Sequence, residues 1–306
     1  MKRFLNCTSS ELLQMKAREL LEAIRGSEGR VLVCETIGNR SPLMEPITNA
    51  ELAAAMGADM IILNLFDVDQ PEVRGLPKVS SADTIREVKR LTGRPVGINL
   101  EPTLVKDDPK DMDGWTMTKG RTATTENAVK AHEMGADFIV LTGNPGTGVT
   151  NDAITDSLQR IRQALADDII LIAGKMHGSG IPSESGENII TPEDITRFHK
   201  AGADIILLPA PGTIPGITVE YIRELVTYSH SLGMLTITAI GTSQEGADKE
   251  TIKRIALYCK MTGTDLHHLG DAGYLGMTVP ENITAYSIAI RGIRHTYLRM
   301  AASILR

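Results

Sequence analysis

A short phrase occurs four times in this chain and limits what it can fold into. Gly57-Ala58-Asp59, Gly135-Ala136-Asp137, Gly202-Ala203-Asp204 and Gly263-Thr264-Asp265 each follow a helix-periodic stretch and open a short apolar run. Glycine suits the position just past a helix end, where the backbone turns left-handed and a Cβ is penalised. The run after each Asp is too short for a helix and apolar on both faces. That is the pattern of a parallel strand covered on both sides. Two copies continue into Pro-Gly-Thr, at Pro145-Gly146-Thr147 and Pro211-Gly212-Thr213.

Between these copies the apolar and helical segments alternate without a long polar linker. Strands are expected at 31–35, 60–65, 95–101, 138–142, 169–174, 205–208, 235–240 and 266–269. Helices are expected at 49–56, 82–91, 125–134, 152–166, 192–201, 219–232 and 249–261, and from 280 towards 305. Strict alternation predicts a parallel sheet, and eight units predict a closed (β/α)8 TIM barrel. The segment after the first strand, Thr36-Ile37-Gly38-Asn39-Arg40, lacks the glycine fingerprint of a dinucleotide-binding open sheet. Such a barrel needs roughly 250 residues, so the 306 here fit one domain with additions. The additions are an N-terminal helical extension over 1–28, with one helix at 9–25, and a long C-terminal helix over 280–306. The apolar far half of that last helix packs either on a second subunit or on the leading helix of its own chain.

Composition narrows the function. A net charge of −6 argues against nucleic acid as the main partner. No apolar run reaches membrane-spanning length, and no secretory leader is visible. Cys7, Cys34 and Cys259 have no paired spacing and read as reduced thiols. These features lead us to expect a cytoplasmic, homo-oligomeric protein whose partner is a small anionic metabolite.

Barrel sites sit at the C-terminal ends of the strands. The expected ends carry Glu35, Asn64, Asn99, Glu101, Thr142, Asn144, Lys175, His177, Thr242, Ser243, His267, His268 and Asp271. Lys175, His177, Glu35 and Glu101 are the expected catalytic groups. A desolvated lysine can form a Schiff base or donate a proton, and its alternative is an ion pair with Glu101 or Glu35. Glu101, Asn99, Asp271 and His268 are the candidate ligands of a hard cation, with Mg²⁺ as the cofactor and no organic cofactor. On a strand, only one of His267 and His268 can face the mouth. Asn64, Asn144, Gly241, Thr242, Ser243, Gly270 and Gly273 are the expected substrate- or phosphate-binding positions, because glycine loops let backbone N–H groups approach an anion. Gly146, Gly148, Gly178 and Gly180 mark similar loops. Asp67-Val68-Asp69 matches a phosphatase nucleophile motif only superficially, because Pro71 stands where a Thr or Val belongs.

Gly75-Leu76-Pro77 after the second strand and Pro95-Val96 opening the third carry a resemblance to the phosphoenolpyruvate mutase/isocitrate lyase superfamily. The resemblance covers about a third of the chain and implies a barrel lyase or mutase that binds Mg²⁺. It departs at Asn99-Leu100-Glu101, where the superfamily carries an Asp-x-Asp pair, and Gly174-Lys175-Met176-His177-Gly178 replaces its Lys-x-x-Cys-Gly-His loop. The glycine-rich ends of the later strands are similar to phosphate-binding barrels of the ribulose-phosphate type. More broadly the chain resembles a bacterial group of barrels without assigned function. The resulting expectation is a lyase or isomerase acting on a small anionic, phosphorylated or 2-oxo acid metabolite. The alternatives are a metal-dependent hydrolase, including a phosphatase, and a non-catalytic barrel that binds a phosphorylated metabolite.

Overall fold

In the computed structural model the eight apolar runs form eight parallel strands: β1 Val31–Ile37, β2 Met60–Asn64, β3 Val96–Leu100, β4 Phe138–Leu141, β5 Ile170–Gly174, β6 Ile205–Pro209, β7 Leu235–Ile240 and β8 Leu266–Leu269. The structure describes residues 2–103, 117–145, 148–178, 181, 185–273 and 276–306. Gly146, Thr147, Ser179 and Gly180 of the expected loops lie outside the described residues. Each strand pairs with the next, and β1 pairs with β8, so the sheet closes. This is the (β/α)8 barrel read from the alternation. Among the described residues no helix is long and apolar enough to cross a membrane.

The four Gly-x-Asp phrases do one structural job. The carboxylates of Asp59, Asp137, Asp204 and Asp265 accept the N–H groups of Leu32, Val96, Leu171 and Thr236 at 2.8–2.9 Å. Each Asp at the start of an even strand therefore holds the start of the odd strand before it. Each also meets a basic side chain: Arg291 and Arg299 for Asp59, Lys89 for Asp137, Arg162 for Asp204 and His230 for Asp265. Three of these side chains also bond the carbonyl of the glycine in the phrase, at Gly57, Gly135 and Gly202. Burying a carboxylate is costly unless it is paired and hydrogen-bonded, and this arrangement supplies both. The phrase thus marks a barrel built from four double units.

The helices are α1 Ser9–Gln14, α2 Ala17–Arg25, α3 Asn49–Ala55, α4 Thr84–Thr92, α5 Thr125–Glu133, α6 Asn151–Leu165, α7 Pro192–Ala201, α8 Val219–Ser231, α9 Lys249–Thr262 and α10 Pro280–Ala301. The single leading helix expected over 9–25 is two. Met15 and Lys16 are extended, with ψ of 135° and 164°, and Glu19 accepts the Lys16 N–H to start α2. Local capping thus outweighs the continuous periodicity. The break sets Leu12 of α1 and Leu20 and Ile24 of α2 in one apolar cluster with the strand residues Val31, Val33, Phe138, Ile170 and Leu266. The odd-numbered members of that set alternate along β1, as side chains on one face must. The extension packs against the barrel interior from the strand-start side and leaves the opposite end for the site.

The far end of α10 packs on its own leading segment. Arg299 donates to the carbonyls of Phe4 and Cys7 and lies over the Phe4 ring at 5.2 Å. Gly292 breaks α10 with a φ of 75°, in the left-handed region that glycine accepts without strain.

Candidate active site

The side chains at the mouth follow the inward face of the barrel. On β1 the residues 31, 33 and 35 share a face, as do 60, 62 and 64 on β2. Val31, Val33, Met60 and Ile62 belong to the interior cluster. The same faces end in Glu35 and Asn64. On β8 the face of Leu266 ends in His268, which resolves the histidine pair. His268 Nε2 lies 2.9 Å from Glu35 Oε2. His267 points the other way, to the Tyr286 hydroxyl and the Gly29 carbonyl, each at 3.0 Å.

A network of carboxyls and amides follows from this. Asn64 Nδ2 donates to Glu35 Oε1 at 2.7 Å and to Asp271 Oδ2 at 2.8 Å. The Asn64 orientation is fixed by a backbone donor, because the Leu65 N–H reaches its Oδ1 at 2.8 Å. Asn99 Nδ2 donates to the same Oδ1 at 3.2 Å, which turns Asn99 Oδ1 away from Asn64. Leu65 and Ala272 hold φ values of 54° and 53°, a costly conformation for residues with a side chain. In each case the strained backbone aims an N–H at the site: Leu65 at Asn64, and Ala272 at Glu245 Oε1, 3.0 Å away.

Glu35 and Asp271 therefore meet on one amide, each accepting from the Asn64 NH₂. Burial first, and then the Glu35 charge, push Asp271 up to about 7. Burial is also the main cause that raises Glu35 to about 7, with the Glu245 charge adding to it. Burial pushes His268 down to about 4, so it is neutral. Its Nδ1 has no hydrogen-bond partner. The proton therefore belongs on Nε2, because a buried N–H left unpaired costs more than a bare lone pair.

The cavity at this end has a volume of about 220 Å³. Glu35, Asn64, Asp271 and Glu245 line one side of the sequence order, and Asn99, Glu101, Arg121, Thr142, Asn144, Met176 and His177 the other. Arg121 and Glu101 form a buried ion pair, with Glu101 still raised by burial. Burial lowers His177.

Several expected residues sit elsewhere or do something other than expected. Lys175 is 1 % exposed and is not among the described residues that line the cavity. β5 ends at Gly174, and Met176 takes the lining position. Gly241 and Gly270 line the cavity, but their lack of a Cβ makes room for side chains. A Cβ on Gly241 would collide with the Met176 sulfur, and one on Gly270 would lie 3.0 Å from Glu245 Oε1. Gly273 donates its N–H to Asp271 Oδ1 at 2.7 Å and so positions a carboxyl. The Thr242 hydroxyl donates to the Thr213 carbonyl at 3.2 Å. Ser243, with φ of 70°, opens the one-turn helix that carries Glu245. Neither Thr242 nor Ser243 lines the cavity. Asp67 accepts the N–H groups of Asp69 and Gln70, so that motif forms a turn.

The four expected metal ligands do not converge. Glu101 faces Arg121, His268 faces Glu35, Asn99 turns its amide nitrogen to Asn64, and the Asn64 NH₂ bridges Asp271 and Glu35. A donor nitrogen therefore occupies the place where a cation would bridge the two carboxyls. Among the described residues no group of three His, Cys, Asp or Glu side chains is arranged to hold a metal. These residues do not fit a Mg²⁺ site of the expected composition.

Two members of the site escaped the sequence reading. Glu245 lies four residues past Gly241, and Arg121 lies in the long stretch between β3 and α5. Loops of that length are uncommon unless functional, and that was the available signal.

Comparison with known proteins bears on the fold. A protein described as a "putative lyase/mutase" from Burkholderia cenocepacia J2315 superposes with a TM-score of 0.50 at 19% identity, over 96% of this chain and 91% of that one. A thiamine phosphate pyrophosphorylase from Pyrococcus furiosus gives 0.47 at 14% identity, over 86% and 96%. A 2,3-dimethylmalate lyase, a PEP mutase/isocitrate lyase superfamily member, gives 0.48 at 12% identity, over 87% and 82%. The likeness to these solved structures is one of barrel fold. No curated protein sequence matches the chain. A family model described as "Domain of unknown function (DUF7916)" matches residues 5–306, and the chain belongs to that family.

Proposed function

We propose that this barrel is an enzyme of the lyase or isomerase type that moves a proton on a small polar carbonyl compound. Glu35 and Asp271 are its acid and base. The observation that carries this reading is the meeting of the two buried carboxyls on the one Asn64 amide, with His268 against Glu35. Burial raises both carboxyls to about 7, and such a pair presents a base and an acid side by side near neutrality. Removing a proton next to a carbonyl needs both: a carboxylate at the carbon and a proton donor at the oxygen. The resulting enol either takes the proton back at the neighbouring carbon, which isomerises the substrate, or expels a leaving group, which makes the enzyme a lyase. Thr142 and His177 also line the cavity, and in this reading they orient the substrate. The Burkholderia protein bears a lyase/mutase description, which agrees with this reading; at 19% identity its likeness speaks to the fold.

Solvent exchange tests the reading without knowledge of the product. A panel of three- to five-carbon hydroxy-carbonyl compounds and 2-oxo acids is incubated with the protein in D₂O and followed by proton NMR. We expect enzyme-dependent loss of one C–H signal in at least one compound, slowed at least about 100-fold by Glu35→Gln, the usual weight of a general base. Equal exchange by the wild type and by Glu35→Gln/Asp271→Asn removes the pair from the reaction.

A further inference from the structure

The cavity contains polar atoms that the protein leaves unanswered. Among the described residues, the acceptor-capable atoms Asn99 Oδ1, Thr142 Oγ1 and Glu245 Oε2 have no hydrogen-bond partner. All three side chains line the cavity, at 9 %, 4 % and 3 % exposure. The Asn99 orientation does not rest on a free choice of amide flip. The Leu65 N–H fixes Asn64 Oδ1 as an acceptor, Asn99 must offer it Nδ2, and Oδ1 is left facing away. Glu245 spends its other oxygen on the Ala272 N–H. Two of the three unanswered atoms are thus pure acceptors, and the hydroxyl can be either. A buried polar atom without a partner costs about 1–3 kcal/mol, and several gathered in one cavity mark where a ligand, a water or an ion completes them.

The charges point the same way. Among the described lining residues, Glu35, Glu101, Glu245 and Asp271 supply four carboxyls against the one guanidinium of Arg121, which already faces Glu101. A phosphate or dicarboxylate placed there adds charge beside Glu35 and Asp271, which are already held above their ordinary values, and leaves the acceptors unanswered.

We propose that the substrate of this site is a small donor-rich molecule, a polyhydroxy or amino-hydroxy carbonyl compound of about four or five carbons, rather than a phosphate ester or a dicarboxylate. This rests on the reading of the cavity as the active site. The size follows from the volume of about 220 Å³, on the order of seven water volumes at about 30 Å³ each. Hydroxyl or ammonium groups of the substrate donate to Glu245 Oε2 and Asn99 Oδ1, and the Thr142 hydroxyl receives or gives the third bond. The carbonyl faces the Glu35–Asp271 pair.

Binding to the full chain tests this, by calorimetry at pH 7 with either a chelator or Mg²⁺ present. The probes are erythrose, erythrulose and 2-amino-1,3-propanediol on one side and glycerol 3-phosphate and malate on the other. We expect at least one donor-rich probe to bind at least tenfold tighter than both anions. Glu245→Gln, which puts an NH₂ where the acceptor stood, weakens that probe tenfold or more. Thr142→Val keeps the shape and removes a hydroxyl that has no partner, so its melting temperature holds or rises while affinity falls about fivefold or more. Tighter binding of either anion, with or without Mg²⁺, overturns the proposal, as does binding by none of the probes or unchanged affinity in both variants. The D₂O experiment separates the two ideas. Erythrose or erythrulose that binds without exchange leaves this inference standing and sinks the proton-transfer reading. Exchange confined to anions does the reverse.

Discussion

The burial of Glu35 and Asp271 makes the stability of this barrel depend on pH in a calculable direction. Glu35 has an ordinary value of 4.5 and is raised to about 7 in the fold. At about 1.4 kcal/mol per pH unit, the ionised folded form is disfavoured by about 3 kcal/mol. The unfolded chain gives up this proton near 4.5, while the folded chain keeps it to about 7. Between these values the folded state binds more protons, so stability falls as pH rises. The contribution is fully present below about 4.5 and is lost as pH passes through about 7. Asp271 is raised to about 7 by burial and by Glu35 itself. The two protons are not independent, so the effect is counted once. Glu35→Gln/Asp271→Asn keeps the size of both groups and removes their titration; the cost of its NH₂ groups against Asn64, His268 and the Gly273 N–H does not change with pH over this range and cancels in the difference. Urea unfolding at pH 5 and pH 9 should show the wild type losing about 3 kcal/mol relative to this variant. At about 3 kcal/mol per molar urea, that is a relative midpoint shift on the order of 1 M. Other buried carboxyls titrate in both proteins and cancel in the difference. Parallel pH dependence in the two proteins would falsify the raised carboxyl pair.

Other outcomes follow from particular contacts. Arg121→Met leaves Glu101 buried beside no cation, so we expect a loss of about 3–5 kcal/mol at neutral pH, shrinking as acid protonates Glu101. Denaturation at pH 5 and pH 8 checks this, and an equal loss at both counts against it. Asp59→Asn should destabilise more than Asp265→Asn, by about 2 kcal/mol, because Asp59 and its arginine partners are buried whereas the His230 side chain is 39% exposed. Equal melting temperatures would break the link between burial and cost. Gly241→Ala pushes on Met176, so it should destabilise by about 1–3 kcal/mol and be relieved by Met176→Ala. Additive effects in the double variant mean the two do not touch.

The repeated Gly-x-Asp phrase and the alternation of segments made the barrel readable, because strand and helix periods and a glycine past a helix end are local properties. The strand ends named Glu35, Asn64, Asn99, His268 and Asp271 for the same reason: in a barrel the site lies where the strands stop. Only the closed sheet decided which of these residues meet. Asp271 reaches Asn64 across 207 positions of sequence, and His268 reaches Glu35 across 233. No local pattern encodes that closure. The parity of β5 moved Lys175 out of the lining, and the loop after β7 brought Glu245 in. The charge of the cavity was likewise a tertiary result. A net charge of −6 is spread over the whole chain, whereas burial around one Asn64 amide turned two ordinary carboxyls into groups that hold their protons to about 7.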